Sequence, residues 1–388
     1  MPSAKRNSAR LRLLRLAARA LSPGVRRKPA HVQRVLLLRP DHIGDVLLTA
    51  PAVALLRASL PSAHLTYAVG PWSREAAEHG PAVDEFLILP FPGFTRRRGA
   101  SSVAPYGLLA REAALLRQQS YDIAVVLRPD HWWGGLLALA AGIPARIGGA
   151  TPETSALLTH SRLQKPGEHW AEQALALAHL TLEVCGAPPV EPTEVRPFRT
   201  SEFANHEATA FWERHALEAR QVVAIQPSAG APLKSWPVEH WVKLADRCIE
   251  LDLAVLLMGG PDDAPLLNAI TQSMARTASA TLYGQSLDVS AAVYARCRLL
   301  IGLDGGAAHL AAAVGTPTVR LYGPTSVEVF GPWPVSDAQR VLVTDTLNCV
   351  PCGRLATPPC GAERLPACLL ALGVDDVMKA VSLQLAQG

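Results

Sequence analysis

The chain of 388 residues has no apolar run approaching the roughly 20 residues that a membrane-spanning helix needs. It contains neither G-x-G-x-x-G nor G-x-x-x-x-G-K-[ST]. The fingerprints of nicotinamide or flavin binding and of a P-loop nucleotidase are therefore missing. Charged residues are sparse, 18% against 49% hydrophobic, a balance that buries sizeable cores and excludes global disorder. The length suits two domains of about 150–200 residues each.

Acidic residues are absent from positions 1–30, which hold nine of the 37 Lys and Arg. The other 28 face 33 Asp and Glu, so the overall net charge of +4 belongs to this tail and the body is acidic. An acidic body argues against a nucleic-acid-binding face. Arg12, Arg15 and Arg19 interrupt the tail's apolar residues and leave no clean hydrophobic segment for a secretory signal, so a cytoplasmic location is expected. As a helix, the tail would carry these three arginines on one face and Leu11, Leu14 and Leu21 on the other. That pattern suits contact with an anionic membrane surface; a solvated basic tail is the alternative.

Apolar runs at 34–39, 65–69, 85–89 and 121–127 read as strands, with helical segments at 45–59, around 73–79 and at 105–119. The Pro-rich stretch 186–200 reads as a linker. Strands at 222–226, 254–258, 298–303 and 318–322 follow, with helices at 238–251 and 307–314. Alternation of this kind implies parallel sheets covered by helices: an α/β chain of two doubly wound, Rossmann-like halves. The expected division is a basic tail at 1–30, an N-terminal domain at 31–195 and a C-terminal domain at 196–388.

Ligands of such sheets bind at the carboxyl ends of the strands. In the second half, four of these ends carry glycine: 227–230, 259–261, 304–306 and 323–325. Glycine lets the backbone approach a ligand, and a following helix offers unpaired amides to an anion. Lys234 adds a mobile cation, so a diphosphate is the expected guest, while Asp262 and Asp263 read either as ribose contacts or as solvated loop acids. In the first half, the loop after the first strand carries Asp41, His42 and Asp45. Asp45 reads either as a helix N-cap or as a general base, and a helix N-terminus would lower its basicity.

Three segments together resemble the family 9 glycosyltransferases, the ADP-heptose:lipopolysaccharide heptosyltransferase family. They are Val35-Leu-Leu-Leu-Arg-Pro-Asp-His-Ile-Gly-Asp-Val-Leu-Leu-Thr49, Lys234-Ser-Trp-Pro-Val-Glu-His-Trp241, and Asp304-Gly-Gly-Ala-Ala-His-Leu-Ala-Ala-Ala313 with Gly315-Thr-Pro-Thr318 and Gly323-Pro-Thr325. The resemblance implies a GT-B fold, with two Rossmann-like domains facing across a cleft. It implies an inverting transfer of a sugar, heptose from ADP-heptose, to a lipopolysaccharide core or related lipid-linked glycan. Asp45 would be the base on the acceptor hydroxyl. Lys234 would neutralise the diphosphate, Asp304 would contact the sugar, and Gly305 and Gly306 would bring amides to the phosphates with His309 close by. Ser228 and Gly230 would complete the donor loop, although Ser228 is its only hydroxyl and Gly305 stands where the family often carries another. Asp41, His42 and Arg128 would face the acceptor; an anionic acceptor would draw on Arg39, Arg96, Arg97, Arg98 and Arg128. No cofactor beyond the nucleotide sugar is implied, since a fixed cation can serve the leaving diphosphate. A non-catalytic nucleotide-sugar-binding protein, and an epimerase or hydrolase on the same fold, are the competing readings.

Four of the seven cysteines, Cys349, Cys352, Cys360 and Cys368, cluster as C-x2-C-x7-C-x7-C. The opening pair fits zinc but the remaining spacing is irregular. Reduced thiols, a local disulfide and a structural metal site all remain open. Cys185, Cys248 and Cys297 read as core residues.

Overall fold

Arg34–Arg39, four buried aliphatic residues between two arginines, forms the first strand, β1. Around it lie His64–Val69 (β2), Glu85–Ile88 (β3), Ile123–Val126 (β4), Ala145–Gly149 (β5) and His160–Arg162 (β6), all parallel, in the order β3-β2-β1-β4-β5-β6. The second half repeats the plan with Val222–Gln226 (β7), Ala254–Gly259 (β8), Ala280–Tyr283 (β9), Leu299–Leu303 (β10), Thr318–Leu321 (β11) and Gln339–Leu342 (β12), ordered β12-β11-β10-β7-β8-β9. This computed structural model describes residues 11–12, 14–16, 18–19, 32–94 and 103–387. The chain divides into two compact units, residues 1–195 and 196–388.

Strands covered by helices on both faces need continuous aliphatic side chains rather than alternation, and β1, β4, β7 and β10 have them. In unit 1, helix Ile43–Ser59 packs against helix Trp170–Cys185. In unit 2, Trp236 and Trp241 meet edge to face at 4.8 Å inside the core between the sheet and helices Val238–Glu250 and Val374–Leu385. Trp236 Nε1 donates to Leu372 O across 3.0 Å, which ties the C-terminal segment to that core.

Both sheets reverse their winding between two central strands, β1/β4 in unit 1 and β7/β10 in unit 2. At such a point the loops after the two strands diverge and leave a crevice at their carboxyl ends. The loops at these two places begin at Pro40 and Leu127 in unit 1, and at Pro227 and Asp304 in unit 2.

The tail departs from expectation where it is described. Residues 11–12, 14–16 and 18–19 are helical; Leu14 and Ala18 are buried in the core of unit 1, while Arg12, Arg15, Leu16 and Arg19 are exposed. The Leu14 face thus packs on the protein itself rather than on a membrane. Leu21 and the rest of the tail lie outside the described residues. Among those described, no helix is long and apolar enough to cross a membrane.

Candidate active site

In unit 1 the helix after β1 begins at Ile43 with His42 as its N-cap, so Asp45 sits in the first turn and is not the cap. Its carbonyl accepts from Thr49 Oγ1 at 2.7 Å, a bond within the helix. Burial raises the Asp45 carboxyl to about 6, with help from the negative charge of Asp41; Arg39, Arg128 and the His42 amide pull the other way and are outweighed. The expected loss of basicity at a helix N-terminus is therefore reversed. Asp45 is a carboxylate still ionised at neutral pH yet more basic than an ordinary one, which suits a general base.

Asp41 is buried at 2% exposure, with Oδ2 3.1 Å from Arg39 Nε and Oδ1 accepting from Arg128 Nη1. Arg39 also donates to Leu127 O at 2.7 Å and lies 5.1 Å over the Trp170 ring. Arg128 Nε donates to Asp130 Oδ1 at 2.6 Å and Nη2 to Asp130 Oδ2 at 3.3 Å. Both arginines are thus anchored on neighbouring groups of the protein, and Asp41 fixes the loop in place. His42 is exposed, its ring 5.8 Å from that of Trp72, whose Nε1 donates to Asp41 O at 2.9 Å. Arg96, Arg97 and Arg98 lie outside the described residues.

In unit 2, Lys234 Nζ donates to Asp304 Oδ2 at 2.6 Å, and Thr325 Oγ1 donates to the same oxygen at 2.5 Å. Burial works to raise the Asp304 carboxyl, but the charge and hydrogen bond of Lys234, with the Thr325 hydroxyl, outweigh it and hold the group below its ordinary range. Helix Gly306–Ala313 starts beside this pair with Gly305 as N-cap. Its first-turn amides have no acceptor within the helix and are available to an anion. At Gly305 an added Cβ would find only ordinary contact, 3.5 Å from Ala229 Cβ, so space does not demand glycine there. His309 Nδ1 lies 3.3 Å from Nη1 of the fully buried Arg320, whose Nε donates to Thr318 Oγ1 at 2.8 Å. A guanidinium only donates, so Nδ1 is the acceptor and the neutral ring carries its proton on Nε2.

The loop after β7 is held by Asp263, whose Oδ2 accepts from Ser228 Oγ and, at 2.7 Å, from the Gly260 amide. Gln226 Nε2 donates to Ser228 Oγ at 2.9 Å, and Tyr294 Oη to Gln226 Oε1 at 2.9 Å. Asp263 therefore braces two glycine loops against each other, whereas Asp262 and Gly230 are exposed.

All seven cysteines are free thiols, and no group of three or more His, Cys, Asp or Glu among the described residues has the arrangement of a metal site. Cys248 and Cys297 are buried as expected; Cys185 ends its helix only half-buried. Thr325 and the bracing role of Asp263 were missed from sequence. The Gly323-Pro-Thr325 segment was the available signal for Thr325, read there for its glycine alone.

The sequence model of glycosyltransferase family 9 (heptosyltransferase) matches residues 110–358. Lipopolysaccharide heptosyltransferase 2 of Escherichia coli is 28% identical over 302 residues, covering 76% of this chain and 83% of that protein. Lipooligosaccharide heptosyltransferase 2 of Haemophilus influenzae is 28% identical over 301 residues, 75% of this chain and 84% of that one. Among solved structures, a family 9 glycosyl transferase from Veillonella parvula superposes with a TM-score of 0.75 at 24% identity, over 92% of this chain and 98% of that one. The E. coli ADP-heptose lipopolysaccharide heptosyltransferase II does so with 0.68 at 24%, over 92% and 99%. With its two parallel six-stranded sheets and a family match over more than half its length, the chain belongs to glycosyltransferase family 9 and is a glycosyltransferase of the GT-B fold.

Proposed function

We propose that this glycosyltransferase moves heptose from ADP-heptose to a lipopolysaccharide core or related lipid-linked glycan, with inversion at the anomeric carbon. The observation that carries the reading is the pair of switch-point sites: a carboxyl raised to about 6 in unit 1 and a lysine fixed beside a helix N-terminus in unit 2. Unit 1 would take the acceptor and unit 2 the donor. Asp45 accepts the proton of the acceptor hydroxyl as its oxygen attacks the anomeric carbon opposite the nucleotide. The bond from that carbon to the diphosphate oxygen breaks, and its electron pair leaves with ADP. Lys234 and the first-turn amides of Gly306–Ala313 stabilise the growing negative charge, donors of a kind worth roughly 3–4 kcal/mol each. On this reading Asp304, whose Oδ2 accepts from Lys234 and Thr325, would receive sugar hydroxyls. The exposed Arg12, Arg15 and Arg19 support contact of the tail with an anionic membrane surface.

Calorimetric titration with ADP, UDP and GDP, beside a Lys234→Ala variant, tests the donor. Selective ADP binding that weakens in the variant is expected. A preference for UDP or GDP overturns the donor, and no binding at all overturns the donor site proposed in unit 2.

A further inference from the structure

Arg320, in β11, is fully buried, and every acceptor it bonds is uncharged. Nε donates to Thr318 Oγ1 at 2.8 Å, Nη2 donates to Gln339 Oε1 at 2.8 Å, and Nη1 lies 3.3 Å from His309 Nδ1. Among the described residues it forms no ion pair. The cradle is itself braced: Thr318 Oγ1 donates to Gln339 Oε1 at 2.7 Å, and Gln339 Nε2 to Thr316 O at 3.3 Å. Burial works to hold the guanidinium below its ordinary range, while Tyr322 and the charge of Asp304 act against that. The group stays charged all the same, because a guanidinium does not deprotonate inside a protein. A buried charge with no counter-ion is unfavourable, and the fold keeps this one.

Its position gives that charge a role. His309 is the fourth residue of helix Gly306–Ala313, which packs on β11 and whose first-turn amides are open to an anion. His309 and Asp304 lie within electrostatic reach of each other. Lys234 is already matched by Asp304. In the cluster of Lys234, Asp304 and Arg320, two cations therefore stand against one carboxylate, and the unmatched charge is that of Arg320. A diphosphate at the open amides would supply the missing anion. Protein rather than water fills the space behind the helix, so the attraction persists at a separation where solvent would screen it.

We propose that Arg320 is a positioning residue of the donor site: a buried cation that attracts the diphosphate from behind helix Gly306–Ala313 without touching it, and that holds the His309 ring with its proton on Nε2. The inference rests on the reading of unit 2 as the donor side and deepens it. It assigns part of the preference for a diphosphate to a residue that lies between the Gly315-Thr-Pro-Thr318 and Gly323-Pro-Thr325 segments and belongs to neither.

Calorimetric titration of the full chain with ADP, inorganic pyrophosphate and adenosine, beside Arg320→Met and Arg320→Lys, tests it. Arg320→Met keeps an unbranched side chain and removes the charge. It should bind ADP and pyrophosphate about ten-fold more weakly and adenosine unchanged, and Arg320→Lys should recover part of the difference. A general loosening of the fold would weaken adenosine as well. NMR adds a readout on the unmutated chain. The Arg320 Nε–H signal, identified by its loss in Arg320→Lys, should shift with ADP or pyrophosphate and stay in place with adenosine. The His309 ring should show the Nε2–H tautomer there and a mixture of tautomers in Arg320→Met. The proposal is overturned if Arg320→Met binds ADP as the unmutated chain does, if it loses adenosine to the same degree as ADP, or if the Arg320 signal ignores ADP. An unmutated chain that binds no ADP sinks the donor reading itself, whereas ADP binding indifferent to Arg320 sinks this inference alone.

Discussion

Lys234 and Asp304, seventy positions apart in the chain, form a largely buried ion pair with an N···O distance of 2.6 Å. Lys234 lies beyond the end of β7 and Asp304 follows β10, the neighbours at which unit 2 reverses its winding. Their pairing fixes a cation beside the open amides of helix Gly306–Ala313 before any ligand arrives, so on the proposed reading little reorganisation would accompany charge development there.

Removing one partner of a buried pair strands the other, at a cost of about 3–5 kcal/mol, whereas removing both is much milder. Lys234→Ala should therefore lower the thermal midpoint and weaken ADP binding. The double variant Lys234→Ala/Asp304→Asn should regain most of the stability and none of the ADP affinity. Thermal denaturation with calorimetry on the set decides this; full recovery of affinity in the double variant would mean that Lys234 does not contact the diphosphate.

Asp45 gives a pH signature. If it acts as the proposed general base it must be ionised, so kcat/KM should rise with pH through an apparent pKa of about 6. Asp45→Asn should cut transfer by about 10²–10⁴-fold with ADP binding intact. Asp41→Asn removes a charge that raises the Asp45 carboxyl and leaves Arg39 and Arg128 to lower it, so the acid limb should move to lower pH. Stability has the opposite sense. The native state holds the Asp45 proton more tightly than the unfolded chain, so its contribution is fullest below about 4 and is lost as pH rises through about 6. Asp45→Asn should accordingly stabilise the protein at pH 8 more than at pH 4.

Which of this was legible in the sequence follows from local pattern. β1 and β7 fall on their expected residues because they are unbroken aliphatic runs, the mark of strands buried on both faces. The edge strands β6 and β12 went unread: His-Ser-Arg and Gln-Arg-Val-Leu are part-exposed and carry no such run. Helix Trp170–Cys185 was also unread, although its buried positions recur every three or four residues. The motif loops were visible as glycine and acid spacing, but their partners were not. Asp41 meets Arg128 across 87 positions, Ser228 meets Asp263 across 35, and no local pattern reports that Arg320 is buried against uncharged partners.

The Asp263 brace separates two adjacent acids. Asp263→Ala strands the Ser228 hydroxyl and the Gly260 amide and should loosen both glycine loops, raising the KM for the nucleotide sugar by about ten-fold with a smaller change in kcat. Asp262→Ala, at an exposed position, should change either constant by less than about two-fold unless that carboxylate contacts the ribose. Steady-state kinetics on the two variants distinguish a loop brace from a direct nucleotide contact.

The cysteines can be ranked by reactivity, because the thiolate is the reacting form and access gates it. Cys360 is exposed, and the backbone amides of Ala362 and Ala367 lower its thiol below the ordinary value. Cys349 is exposed as well. Burial pushes Cys248 up to about 12 and raises Cys297 further, while Cys368, also raised by burial, lies under the loop at Gly323. Iodoacetamide on the native protein should therefore modify Cys360 first and Cys349 next. Cys248 and Cys297 should react only on unfolding, and lowering the pH should slow Cys360 least. Peptide mass spectrometry over a time course reads the order. The same course after chelation with EDTA bears on the cluster at 349–368: thiolates bound to a metal would be protected until the metal is removed, whereas free thiols should react alike with and without the chelator.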